Sequence, residues 1–292
     1  MDGQQRLNTI RDFFAGGFAL SGLKVLTPLN GLRYPKAPPR VKRTLDRASL
    51  SAIVLLMESE SERPNQGTLS LTDIRRLVFD RLNTGGMKLN PQELRNAQNP
   101  GEFNEAIIEL SRFDLFTEGF GIPAYTEENP EDYYVNPQRQ KNNLYSTMKD
   151  CELVLRYFAL KDPTNIRGSM KAMLDRAMET KLNKEEAAAA KEEYKSRFIF
   201  LYELFASKPF ILTSPTDQKE RVSAAVYDAA MVAMHNVWAS REIIRSDSAN
   251  IAVRMLEANA DSDLYEVLVG RGNTADAVRG RIQLLQRILL PD

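Results

Sequence analysis

Histidine and cysteine are almost missing from this chain of 292 residues, which holds one of each, His235 and Cys151. A single cysteine excludes an intramolecular disulfide framework and fits a reducing cytoplasm. A single histidine leaves no second imidazole for a metal pair, and no Cys/His run has metal-ligand spacing. Surplus charge is lacking as well, because 39 Lys and Arg balance 39 Asp and Glu. No global field therefore draws the protein to nucleic acid or to an acidic membrane, and any such contact must come from a local patch. No apolar run approaches membrane-spanning length; Ala52 to Met57 is only strand-sized. Neither a Walker-type phosphate loop nor a serine nucleophile elbow occurs, and there is no internal repeat. With 43% hydrophobic and 27% charged residues, the composition is that of an ordinary globular protein. The length suits one large domain or two smaller ones.

Two segments stand out against this background. Asp2-Gly3-Gln4-Gln5-Arg6 opens with an acidic residue and a glutamine three positions on, the pattern of a capping box. Leu7, Ile10, Phe13 and Phe14 follow at helical spacing, so a helix is expected from the outset. Its N-terminus offers unpaired N–H groups and partial positive charge. Gly3 permits close approach, Gln4 and Gln5 can read polar edges, and Arg6 can clamp a phosphate. Equally, an exposed, well-capped helix carries such residues for its own sake. The second segment runs Phe79-Asp80-Arg81-Leu82-Asn83-Thr84-Gly85-Gly86-Met87-Lys88-Leu89-Asn90-Pro91-Gln92-Glu93-Leu94-Arg95-Asn96. It joins one helix end to the capped start of the next; Gly85 or Gly86 serves as a left-handed C-cap and Asn83 as a turn former whether or not a ligand is present.

Together these segments resemble the N-terminal domain of the GmrSD-type restriction endonucleases, a family related to the ParB/sulfiredoxin fold. Less specific likenesses at Lys149 to Phe158 and Gly270 to Thr274 extend the resemblance over the chain, in the form of stand-alone members without the nuclease domain. The resemblance implies nucleotide binding, of GTP or ATP with Mg2+, and hydrolysis in a complete domain. It places Asp2, Gly3, Gln4, Gln5 and Arg6 on the nucleotide-facing turn, Asp2 and Arg6 in catalysis, and Asn83, Thr84, Gly85 and Gly86 as a second wall. It further implies a prokaryotic, cytoplasmic role in restriction or phage defence, a partner nuclease, DNA as a candidate ligand and no membrane. Family members carry some tens of residues ahead of the signature, so the first unit is expected to be incomplete at its N-terminus. An HNH nuclease needs several histidines, which excludes that activity here. The rival reading is a non-enzymatic interaction module without a working nucleotide site.

The expected fold is α+β and mostly α: an incomplete ParB/sulfiredoxin-like α/β unit over residues 1–97, then an α-helical domain over 98–292. In the first part, Leu26 to Pro39 is irregular, a short helix runs from Pro39 to Arg47, Ser51 to Met57 is a buried strand, and Leu71 to Leu82 is a helix. Asn90-Pro91-Gln92-Glu93 opens another, with cap, first-turn proline and capping-box glutamate in place. Further helices are expected at 100–111, 147–160, 168–181, 184–206, 218–240, 247–258 and 263–269, with a loop over 117–139. Thr274 caps a last helix to Leu290 whose Val278, Ile282, Leu285, Ile288 and Leu289 face inward.

Among single residues, Glu152 and Arg156 are spaced as an i,i+4 pair, and an apolar surround makes burial of Arg156 against a residue of the first domain the expectation. Arg271, Arg279, Arg281 and Arg287 form the best local basic patch for DNA phosphates, beside a Gly270–Thr274 loop that suits an anion. His235 reads as a hydrogen-bonded, half-buried side chain and Cys151 as a small packing residue.

Overall fold

The structure, a computed structural model, describes residues 2–49, 89–124, 137–216, 218–270 and 272–290, with backbone alone at 2–6 and 137. The chain divides into two compact units, residues 1–88 and 89–292. In the first, helix α1 spans Asp2–Phe14, as its 3.6-residue periodicity requires. On it Phe13 is buried, whereas Leu7 is exposed. Two 3-10 turns, Thr27–Leu29 and Tyr34–Lys36, occupy the proline-rich stretch and lead into α2, Pro39–Asp46. Phe13, Phe14 and Phe18 gather around Tyr34, with Phe14 and Tyr34 ring centroids 4.4 Å apart. The chain can fold back this tightly because Gly16 takes φ +80°, where a Cβ would lie 2.8 Å from Pro35 Cγ. No strand occurs among the described residues of this unit; the expected strand at 51–57 and helix at 71–82 lie outside them.

The second unit is a helical bundle. Its helices are α3 (Pro91–Gln98), α4 (Glu102–Leu110), α5 (Asp114–Gly119), α6 (Pro137–Lys141), α7 (Asn143–Ser146) and α8 (Lys149–Leu160). Then come α9 (Met170–Met178), α10 (Lys184–Leu204), α11 (Ala224–Asn236), α12 (Arg241–Ser246), α13 (Ser248–Ala260), α14 (Ser262–Val269) and α15 (Ala275–Leu289). The two central helices, α8 and α11, are buried nearly all round, so they are enclosed by others. α8 packs against α3, α4, α9 and α11, while α11 lies mainly along α15. Aromatic rings fill the space between: Phe116, Phe120, Phe198, Phe210 and Tyr227 form one cluster, and the Tyr194 and Tyr227 hydroxyls hydrogen-bond at 2.8 Å. Val278, Ile282, Leu285, Ile288 and Leu289 are all buried on α15, and the Thr274 side chain caps it.

The expected helix over 218–240 is shorter than its span. Residues before Ser223 instead form a two-stranded antiparallel hairpin, β1 (Ile211–Thr213) with β2 (Glu220–Val222), turning at Pro215 and Thr216. Ser223 then caps α11 through Val226 N–H. The helix cannot begin at Gln218, because that residue adopts φ +54°, outside the right-handed helical region. The α3 start is a full capping box: Asn90 Oδ1 accepts from Gln92 and Glu93 N–H, and Glu93 accepts from Asn90 N–H at 2.7 Å. Asn90 Nδ2 also donates to Thr147 O at 2.8 Å, tying α3 to the entry of α8. Asn90→Ala is therefore expected to cost about 1.5 kcal/mol. Thermal unfolding followed by circular dichroism should show Tm lower by about 4 °C, and an unchanged Tm would mean the cap is not holding α3.

Candidate functional site

A chain of charges runs through the bundle where α3, α8, α9 and α11 meet. Lys171 Nζ sits 2.6 Å from Asp175, whose other oxygen takes Arg95 Nε at 2.7 Å. Arg95 Nη1 stands 3.6 Å from Glu152, and Glu152 accepts from Arg156 Nη2 at 3.1 Å. Arg156 Nη1 donates to Asp228 at 3.0 Å. The i,i+4 pair of Glu152 and Arg156 is thus present, but the burial partner of Arg156 is Asp228 of α11, within the helical unit and not the first unit. Asp228 is 3% exposed, and its Oδ1 and Arg156 Nε have no hydrogen-bond partner. Burial pushes the Asp228 carboxyl up despite Arg156, while Asp228 holds the Arg156 guanidinium firmly protonated.

Beside this chain, a cleft of about 660 Å³ opens between α4, α8, α9 and α10. Phe103, Phe158 and Leu182 give it an apolar floor, and Lys161, Arg167, Arg176 and Glu193 are on its walls. Glu193 Oε1 accepts from Tyr157 Oη and Lys161 Nζ, each at 2.7 Å, and His235 Nδ1 lies 3.7 Å away. The ammonium of Lys161 also rests over the Phe158 and Tyr157 rings at 5.3 and 5.8 Å. Burial works to raise Glu193, but the Lys161 and Tyr157 hydrogen bonds outweigh it and hold the carboxyl below the usual range. His235 is pushed down by burial against the pull of Glu193, so it is neutral near pH 7. Its ring stands 3.3 Å from Tyr157 Oη and is half-buried, as the sequence reading has it. Such a group can take up a proton that Glu193 would stabilise. Lys161, Glu193 and Tyr157 carry no local sequence signal as a site, since 36 residues separate Tyr157 from Glu193.

Asp2, Gly3, Gln4, Gln5 and Arg6 occupy the opening turns of α1. Asp2 lies inside the helix, and the side chains of all five fall outside the described residues, as do Asn83, Thr84, Gly85, Gly86 and Arg271. Arg279, Arg281 and Arg287 do not form one exposed patch. Arg281 is 2% exposed and donates to Gly272 O at 3.0 Å. The Gly270–Thr274 loop thus turns its Gly272 carbonyl toward a guanidinium. Gly270, at φ +68°, is needed there because a Cβ would fall 2.8 Å from Arg281 Nη1 and 2.6 Å from Ala225 Cβ. Arg281 lies on the buried stripe with Val278, Ile282 and Leu285, a periodicity that marks it as inward-facing. Arg279 pairs with Asp276 at 3.1 Å and donates to Ile166 O. Arg287 is exposed, at the rim of a separate cleft. Cys151 is wholly buried against Ser111, and burial raises its thiol far above its ordinary value, consistent with packing.

Among the described residues, no group of three or more His, Cys, Asp or Glu is placed to hold a metal ion, and no helix is long and apolar enough to cross a membrane. No family model, curated protein or solved structure matches this chain.

Proposed function

We propose that this protein is the nucleotide-binding regulatory or sensor component of a prokaryotic DNA-restriction system, acting in the cytoplasm with a partner nuclease. One observation carries the reading: Asp2-Gly3-Gln4-Gln5-Arg6 and the Phe79–Asn96 segment occur in order in one chain. The five signature residues fall in the opening turns of α1, and the N–H groups and partial positive charge of a helix N-terminus suit a phosphate. In this reading the first unit is ParB/sulfiredoxin-like. Arg6 clamps the phosphates of GTP or ATP, Gln4 and Gln5 read polar edges, and the Asn83–Gly86 turn forms the facing wall. Mg2+ arrives on the triphosphate. Cutting of DNA belongs to the partner.

Calorimetric titration of GTP and of ATP should show saturable binding, weakened about tenfold or more in Arg6→Ala by loss of one charge-assisted phosphate contact. No saturation with either nucleotide, or an Arg6→Ala variant that binds like wild type, would sink the proposal.

A second reading, a protein-interaction module with no working nucleotide site, is favoured by one face of α13. Ala249, Ala252, Val253, Leu256 and Ala260 form an exposed apolar stripe there, with Leu256 66% exposed.

A further inference from the structure

A different face of the helical unit displays arginines laid over aromatic rings. Trp238, in the 3-10 turn Trp238–Ser240, has Arg197 of α10 over its ring at 4.1 Å and Arg241 of α12 at 5.4 Å. Phe200, one turn along α10 from Arg197, meets Trp238 edge-on at 5.8 Å and carries Arg245 at 5.0 Å. Arg241 Nη1 is also held by Trp238 O at 3.3 Å. Stacking in this way restrains a guanidinium, so little side-chain freedom remains to be lost on binding. Arg197 Nε is buried and its Nη1 donates to Ser196 Oγ at 2.8 Å, so Arg197 has only Nη2 to offer, whereas the Arg241 and Arg245 side chains are 42% and 58% exposed. The nearby carboxylates are Glu242, 3.5 Å from Arg241, and Glu203, 3.4 Å from Arg245. Both are more than half exposed, and surface pairs of this kind contribute at most about 1 kcal/mol, so a phosphate can displace them.

We propose that Arg197, Arg241 and Arg245 form a nucleic-acid contact surface that takes backbone phosphates. A protein partner would seek a bare ring to seat in a pocket. Here Trp238 and Phe200 are overlaid by guanidinium groups, with the Arg241 and Arg245 side chains the most open to solvent, and a guanidinium's planar fork matches phosphate. This surface replaces the Arg271–Arg287 region as the place for DNA, and it stands apart from the nucleotide reading.

The test is fluorescence anisotropy of the full chain with labelled single-stranded and duplex oligonucleotides over a salt series, without nucleoside triphosphate. Three phosphate contacts predict a slope of log affinity on log salt of about −2 for a single strand and about −3 for a duplex. The Arg197→Gln/Arg241→Gln/Arg245→Gln variant should lose that slope and bind at least tenfold more weakly at low salt. Should the triple variant fail to fold, Arg245→Gln alone, at a side chain 58% exposed, must reduce the slope by about one. The comparison of strands decides which form of nucleic acid supplies the phosphates. The proposal is overturned by an absence of salt-dependent binding or by an unchanged slope in the variants. Competition by polyglutamate as strong as that of the oligonucleotide at equal charge would overturn it too. None of these outcomes bears on GTP or ATP binding.

Discussion

Arg156→Met should destabilise the helical unit by about 4 kcal/mol at pH 7, because the charge it leaves behind has nowhere to go. Glu152 keeps a second guanidinium in Arg95, 3.6 Å away, but Asp228 is 3% exposed and already has one oxygen without a hydrogen-bond partner. Deleting Arg156 therefore strands a carboxylate inside α11, where burial favours its protonated form. Part of the loss should be relieved in acid for that reason. The double variant Arg156→Met/Asp228→Leu removes both charges and fills the space with apolar atoms. It is expected to recover to within about 1 kcal/mol of wild type, since a buried pair is seldom better than packed hydrocarbon. Urea unfolding followed through Trp238, the only tryptophan, reports this unit directly. A single variant costing under about 1 kcal/mol, or a double variant worse than the single, would show that the pair is not the desolvated link the geometry describes.

Neither that pair nor the cleft could be read along the sequence, and the reason is physical. Helix ends are written locally: Asn90, Pro91 and Glu93, or Thr274 ahead of its apolar stripe, specify a start within four residues. The mainly helical character of the second unit follows from such signals. Arg156 and Asp228 are 72 residues apart, and only packing of α8 on α11 brings them together. Without that packing Arg156 looked set to reach toward the first unit. The hairpin at 211–222 was missed because strands of three residues are too short to show alternation. Arg281 is the instructive case. Its place among Arg271, Arg279 and Arg287 suggests a local basic patch, although its spacing from Val278, Ile282 and Leu285 puts it on the buried side of α15. The arginines that stack on Trp238 and Phe200 come from α10 and α12, so no single segment announces them.

Asp150 offers the second large effect, and its sign is opposite to that of a salt-bridged carboxylate. It lies 2% exposed in the first turn of α8, accepting from Cys151 N–H at 2.8 Å. Burial raises its pKa to about 6, against the opposing hydrogen bond from Cys151 and the charge of Arg112. The folded protein thus holds this proton more tightly than the unfolded chain, whose carboxyl titrates at its ordinary value of 3.8. The associated stability is fully present below that lower value and is lost as pH rises through 6. Across the window the loss is about 3 kcal/mol. Asp175 and Glu193 run the other way: their lowered pKa values add stability above the unfolded carboxyl range, which is lost as pH falls. The summed profile therefore hides Asp150, and only a difference exposes it. Asp150→Asn keeps an acceptor for Cys151 N–H and removes the charge. Its stability relative to wild type should rise by about 3 kcal/mol between pH 4 and pH 8, measured by urea unfolding at each pH through Trp238. Parallel profiles for the two proteins would mean that Asp150 ionises in the folded state as easily as in the unfolded one. The first turn of α8 would then have to be open to water, contrary to its burial in the structure.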